Sequence, residues 1–466
     1  MIGRSKIILI PLLGTLLLIG PSSITAQRAT VLHSFGSIPD GANPHGGLVL
    51  VSNTLYGTTS AGGRALRGTL FRVGTDGTDF TNFYALGFNS PFDGATPYGG
   101  LTASADRLYG TTLGGGSANQ GTVFQIRMDG TGFSTIKNLN LGDGFGPYAG
   151  LLLSGDKLYG TTYNGGTIGW GTVFSVNTNG SGFTNLHSFY ASNAAGFGPR
   201  GRLILSNETL YGTGYLSSEP GYGGIFSVKT DGASFTNLFT FNGHYPSGAN
   251  PQGALILVDD TLYGTTQYGG SSGRGAVFAI KTNGASFTVL HSFLGSDGAN
   301  PCSGLTLSGQ TLYGTTQNGG TSAGGTVFAV NTDGSRFLTL YNFNNPAGSP
   351  SGQTNSEGLY PEAELVLSGY SFYGTAPVGG NSGYGTVFSI SMAPQLTIFA
   401  SGTNVILRWP TNLAGFDYSG FVLQCARDIT SPTRWTNASL NPVVINGSNM
   451  VTDCTSGTQK FYRLVQ

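Results

Sequence analysis

From residue 29 to about residue 391, short apolar runs alternate with polar turns rich in Gly, Asn, Asp and Ser. One stretch shows the pattern. Gly150-Leu151-Leu152-Leu153 is apolar, and the turn Ser154-Gly155-Asp156-Lys157 leads to Leu158-Tyr159-Gly160-Thr161-Thr162. A glycine-rich loop precedes Gly171-Thr172-Val173-Phe174-Ser175-Val176. Asn179-Gly180 then turns the chain into Phe183-Thr184-Asn185-Leu186-His187-Ser188-Phe189. β-Branched and aromatic runs between such turns predict strands. Asn-Gly and Asp-Gly pairs supply the positive φ that tight hairpins need. The stretch therefore predicts four strands, A to D in chain order. No helical stripe with i, i+3, i+4 spacing follows residue 26.

The unit repeats. Its core tyrosines are Tyr56, Tyr109, Tyr159, Tyr211, Tyr263, Tyr313 and Tyr373, spaced by 53, 50, 52, 52, 50 and 60 residues. A period near 50 with four strands per unit is the dimension of a propeller blade. The ends carry a further signal. Thr30-Val31-Leu32-His33-Ser34-Phe35 is a lone D strand, identical to Thr288–Phe293, whereas the last unit stops after its C strand, Gly385–Ile390. Seven A-B-C units and seven D strands, offset by one, predict an all-β fold: a seven-bladed β-propeller closed by the N-terminal strand over residues 27–392. An open solenoid is the alternative. It does not require the offset and leaves edges to protect.

The flanks differ. Arg4 and Lys6 precede an apolar run from Ile7 to Ile19, and small residues lead to Ala26. That is the layout of a signal peptide over residues 1–26, and the run is short for a membrane span. The expected location is secreted, extracellular or cell surface, with no transmembrane span after cleavage. From Pro394 the repeat vanishes. Several short strands in residues 393–466, with Trp409 as a core candidate, predict a small β-sandwich similar to fibronectin type III or immunoglobulin modules. Cys425 and Cys454 both lie in this segment and are expected to form a disulfide, leaving Cys302 free.

The recurring Leu-Tyr-Gly-Thr-Thr-x-x-Gly-Gly, followed by Gly-Thr-Val-Phe and then Asp/Asn-Gly, resembles the GloVer tandem repeat of secreted bacterial choice-of-anchor proteins. The resemblance covers roughly residues 29–391. It implies location and organisation and brings no catalytic residues with it. Such proteins typically carry a C-terminal anchor or sorting module. This chain ends instead in the sandwich-like segment, with neither a terminal apolar helix nor a basic tail, which puts attachment to a cell in doubt.

Candidate chemistry is sparse. Charged residues make up 9% of the chain and the formal net charge is zero. Without clustered Lys and Arg, a nucleic-acid partner is not expected. In the C-to-D turn, Asp129, Asp231 and Asp333 alternate with Asn179 and Asn283. An acid–base role would not survive that exchange, but a turn would. His33, His187 and His291 share a D-strand column with Tyr84, Lys137, Phe239 and Tyr341, which reads as an outer surface position. His45 and His244 are isolated. No metal site, phosphate loop or nucleophile elbow is present, so neither metal nor cofactor is expected.

Two variable columns stand out against the fixed glycines. Eleven residues after each core tyrosine come Arg67, Gln120, Trp170, Tyr222, Arg274, Gly324 and Tyr384. After each D-to-A proline come His45, Tyr98, Tyr148, Arg200, Gln252, Cys302 and Glu362. Both loops fall on one rim of a propeller, and Tyr, Trp and Arg are common anchors at binding surfaces. Tyr98, Tyr148, Trp170, Tyr222, Arg274 and Tyr384 are the ligand-binding candidates. The bland alternative is a set of permissive loop positions. The seventh unit also has a longer D-to-A loop, Asn344–Pro361, which adds Glu357, Glu362 and Glu364 nearby. The fourth replaces its glycine pair with Ser217-Ser218-Glu219-Pro220.

These features lead to a non-enzymatic binding or scaffold protein that recognises an extracellular glycan polymer or a protein through one rim. Two alternatives are a polysaccharide hydrolase or lyase, with Glu357, Glu362 or Glu364 as acid or base, and a structural surface protein without a soluble ligand. A hydrolase needs two carboxyl groups about 5 to 9.5 Å apart in a cleft.

Overall fold

The computed structural model describes residues 29–36, 38–190, 196–217, 221–243, 247–345, 355–401, 404–426, 435–454 and 460–466. The expected signal peptide, His244, Glu219 and the middle of the long seventh loop lie outside them. Contacts divide the chain into Gln27–Ile390 and a unit containing Ser391–Gln466. The described residues hold no α-helix, and no helix long and apolar enough to cross a membrane.

In the repeat unit the pattern folds locally as antiparallel sheets in A-B-C-D order. The third is Leu152–Ser154, Lys157–Thr162, Thr172–Asn177 and Thr184–Ser188. Seven such sheets occur among the described residues, and the fourth carries one extra short strand, Phe197–Pro199. In the last, the outer strand comes from the start of the chain. Ala29–Ser34 pairs antiparallel with Thr386–Ser391, with Val31 opposite Phe388.

The repeated motif is explained by packing. The phenylalanine of Val-Phe lies over the glycine of the core on the facing strand. A Cβ on Gly160 would stand 2.4 Å from Phe174 Cζ, so only glycine fits. In six of the seven units the first core threonine reaches the next sheet; in the third, Thr161 Oγ1 is buried without a partner. Thr111 Oγ1 donates to Ala149 O at 2.9 Å, Thr265 to Ser303 O at 2.9 Å, and Thr375 to Gly46 O at 3.2 Å, from the last sheet to the first. The second threonine bonds within its own sheet to the threonine of Gly-Thr-Val-Phe, as in Thr162–Thr172 at 2.9 Å. The fifth repeat has Ala276 at that partner position, and Thr266 Oγ1 is left buried without a hydrogen bond.

The D-strand column is not the outer surface position its composition suggested. Five of its rings stack on a phenylalanine of the following sheet: His33 on Phe80, Tyr84 on Phe133, His187 on Phe235, Phe239 on Phe287 and His291 on Phe337. Tyr341 instead meets Phe343 edge-on. Lys137 places its ammonium 4.4 Å from the Phe183 ring. Where the column carries a donor, an acid of the next loop frequently receives it. His33 meets Asp40, Tyr84 meets Asp93, Lys137 meets Asp143 and His291 meets Asp297. The column tolerates varied residues because a flat or cationic side chain of any of these types fits against a ring. The C-to-D turns behave as expected: the side-chain oxygens of Asp129, Asn179 and Asp333 accept the N–H two residues on.

One consequence is a pH effect. Burial pushes the His187 imidazole down to about 4 from 6.5. The unfolded chain then takes up this proton first, so stability falls as pH drops from about 6.5 towards 4. His187→Phe, copying Phe239 of the next repeat, is expected to keep neutral-pH stability and lose part of that acid sensitivity. Urea melts at pH 7.5 and 4.5 measure it, and an unchanged acid loss in the variant would assign it elsewhere.

In the second unit, Thr397–Ser401, Asn404–Pro410, Ser448–Cys454 and Val443–Ile445 form one sheet. Thr436–Asn437, Val422–Ala426 and Phe461–Val465 form another. Leu407, Trp409, Val451, Leu423 and Tyr462 from both sheets share a core, with Trp409 only 1% exposed. The expected Cys425–Cys454 bridge is not formed. Cys425 is a free thiol on the second sheet, paired across to Tyr462, whereas Cys454 lies on the first, opposite Asn404. The side chain of Cys454 lies outside the described residues.

Candidate functional site: a cavity lined by all seven repeat sheets

All seven sheets of the repeat unit contribute to one cavity of about 880 Å³. Its wall is the A strands and the residues just before them, where glycines bring neighbouring backbones together. A Cβ on Gly99 would stand 2.5 Å from Ala149 C. The side chains that project there are the full column after the D-to-A proline: His45, Tyr98, Tyr148, Arg200, Gln252, Cys302 and Glu362.

These residues form two connected groups. In the first, Glu362 is the centre. His45 Nδ1 lies 2.9 Å from Glu362 Oε2, Tyr98 donates to the same oxygen at 3.1 Å, and Gln317 donates to Oε1 at 2.6 Å. Burial acts to raise the Glu362 carboxyl, but these hydrogen bonds outweigh it and hold it below the usual range. Burial, with Glu362 adding to it, raises the Tyr98 phenol and the Cys302 thiol. His45 stacks on Tyr98 at 4.3 Å, and Tyr98 meets Tyr148 edge-on at 5.3 Å.

In the second group Arg200 is surrounded by aromatic rings. Its guanidinium carbon lies 4.9 Å from the Tyr148 ring centre, 4.7 Å from Tyr163 and 4.2 Å from Tyr215. Nη1 donates to Gln252 Oε1 at 2.9 Å, and Nε is buried with no partner. A second charged pair, Arg202 and Glu364 at 3.4 Å, also lines the cavity. Burial raises the Glu364 carboxyl, with Arg202 opposing it.

The cavity separates the sequence candidates. Tyr98, Tyr148, Glu362 and Glu364 line it, but Trp170, Tyr222, Arg274 and Tyr384 do not. In that second column it is the backbone that acts. Each carbonyl accepts an N–H from the next D-to-A loop, as in Gly198 to Trp170 at 3.0 Å, Asn250 to Tyr222 at 2.7 Å, Asn300 to Arg274 at 2.8 Å and Asn43 to Tyr384 at 2.9 Å. A main-chain bond leaves the side chain unconstrained, and Trp170 and Tyr384 remain 40% and 43% exposed. Glu357 is also apart from the cavity. It is hydrogen-bonded to Tyr341, in the place that Asp40 or Asp297 takes in other repeats.

Sequence reasoning missed a further column. Four residues after each core tyrosine comes the variable set Ser60, Leu113, Tyr163, Tyr215, Gln267, Gln317 and Pro377. Tyr215, Gln267 and Gln317 line the cavity, and Tyr163 flanks Arg200. Its signal was variation immediately after an otherwise fixed motif.

The sequence profile of the Gloeobacter/Verrucomicrobia repeat matches residues 13–153 and 108–322, together about two thirds of the chain. The chain belongs to this family. The Gloeobacter/Verrucomicrobia repeat is associated with secreted bacterial proteins. No curated protein matches the chain. Among solved structures it is similar to an oligogalacturonate lyase from Vibrio parahaemolyticus, at 10% identity and a TM-score of 0.49, over 79% of this chain and 94% of that one. It is also similar to a puromycin hydrolase, at 14% identity and a TM-score of 0.49, over 80% of this chain and 59% of that one. A nidogen/laminin complex matches at 15% identity and a TM-score of 0.38, over 59% and 91%.

Proposed function

We propose that this Gloeobacter/Verrucomicrobia repeat protein is a seven-bladed β-propeller, closed by its N-terminal strand, that acts outside the cell as a non-enzymatic binding protein. Its ligand is an extracellular glycan, or a protein segment, taken up at the cavity on one rim. The observation behind this reading is the ring of non-repeating side chains on a repeating frame. Among glycines and the apolar residues of the A strands, the column positions that line the cavity are His, Tyr, Arg, Gln, Cys and Glu. Stacking rings and fixed hydrogen-bonding groups are what a sugar requires.

Trp170, Tyr222, Arg274 and Tyr384 form an outer contact set for a longer chain leaving the cavity. Tyr148→Ala is then expected to weaken short and long oligosaccharides alike, by roughly 2 kcal/mol or more if it is an anchor. Trp170→Ala should weaken only the long ones. Glycan-array binding of the mature protein and its variants measures both. Equal binding of wild type and Tyr148→Ala, for a ligand that the repeat unit retains, would remove the cavity from this reading.

One observation favours an enzyme as the second reading. Glu362 and Glu364 line the same cavity, one carboxyl held low and the other raised. Opposed environments of this kind suit a base and an acid. New reducing ends or unsaturated products from a polysaccharide panel, absent with Glu364→Gln, would establish it.

A further inference from the structure

We propose that the ligand of this cavity is acidic, a uronate-bearing oligosaccharide whose carboxylate is held by Arg200; this rests on the binding reading above. The argument starts from charge. Five ionisable side chains of the His, Arg and Glu types line the cavity, and four of them are paired, His45 with Glu362 and Arg202 with Glu364. Arg200 is the remaining one. No carboxylate among the described residues lies within ion-pair distance of it, and it spends one donor, on the neutral Gln252.

A guanidinium has five N–H donors in a planar fork that matches a carboxylate. Here Nε is buried without an acceptor, which costs free energy in the empty site. The three tyrosine rings offset part of the cost through their π faces, but they accept no strong hydrogen bond. They also fix the guanidinium in place, so an incoming anion orders nothing further.

The same residues limit the kind of anion. One unpaired cation, with no lysine in the lining, suits a single negative charge better than a phosphate dianion. Around it stand groups that suit sugar hydroxyls. Tyr148 has no hydrogen-bond partner for its hydroxyl among the described residues, and the Gln252 amide lies against the guanidinium of Arg200. Glu362 does not oppose the anion as a bare carboxylate would, because three donors already surround it.

The test uses a panel of uronate oligosaccharides (alginate, pectate and hyaluronan fragments), each beside its carboxyl-reduced neutral counterpart, and calorimetry with the mature full chain. At least one uronate member should bind. Reducing its carboxyls, or Arg200→Gln, should each weaken it on the order of tenfold to a hundredfold, the usual worth of a hydrogen-bonded charge. Arg200→Lys should retain part of the affinity, and binding should weaken with salt. Unchanged melting curves for both variants separate loss of binding from loss of fold. A neutral counterpart that binds equally well, lost in Tyr148→Ala but kept in Arg200→Gln, would overturn the acidic ligand and leave the binding reading standing. No binding by any member, charged or neutral, would overturn both.

Discussion

Removal of residues 27–36 is expected to abolish cooperative unfolding of the repeat unit. Ala29–Ser34 is the outer strand of the sheet that ends at Ser391, and no other described strand can take its place there. Its loss would bare the backbone edge of Thr386–Ser391, which is a template for aggregation. It would also open the cluster in which Leu32 and Phe35 meet Phe71, Tyr373 and Val387, side chains from both ends of the repeats. Phe35 is fully buried, and Phe35→Ala alone should cost about 3–5 kcal/mol. Urea melts followed by tyrosine fluorescence and size-exclusion chromatography measure both changes. A truncated protein with the midpoint of the full chain would show that the strand is dispensable.

Glu362→Ala should also be destabilising, by about 1–3 kcal/mol, because His45, Tyr98 and Gln317 would lose their common acceptor in a part-buried site. Glu362→Gln should cost less, since its amide carbonyl can still accept. The pH dependence separates the two effects. The folded carboxyl is held below 4.5, so its stabilisation is complete above the ordinary carboxylate range and is lost as pH falls through the folded value. Melting curves from pH 7 to pH 3 should show this loss in wild type and a smaller one in Glu362→Gln. Equal curves would mean the network carries no folding energy.

Much of the repeat unit was legible because its period is local. The strands, their turns and the offset D strand at the start follow from runs such as Leu158–Thr162 and from the unit that stops at Ile390. The cavity column was legible too, as a set of unlike residues at fixed places. Contacts between neighbouring sheets were not. His187 reads as an exposed strand residue until Phe235, 48 positions later, is found stacked on it. The same limit applies to Glu357, which looked like a partner of Glu362 in sequence and meets Tyr341 in space. In the second unit, two cysteines 29 residues apart suggested a bridge, but Cys425 is a free thiol, and chain spacing alone does not bring two sulfurs together. Trp409 was legible as core because a large ring in an apolar strand has few other places to go.

The main-chain bonds from each D-to-A loop to the carbonyl of the preceding unit have an implication for how such a protein can change. They fasten the loops without reference to the side chains that the loops display. The positions of Trp170, Tyr222, Arg274 and Tyr384 can therefore be rewritten one repeat at a time while the loops stay fastened, whereas cavity positions tied to one another, such as His45, Tyr98 and Glu362, can change only together.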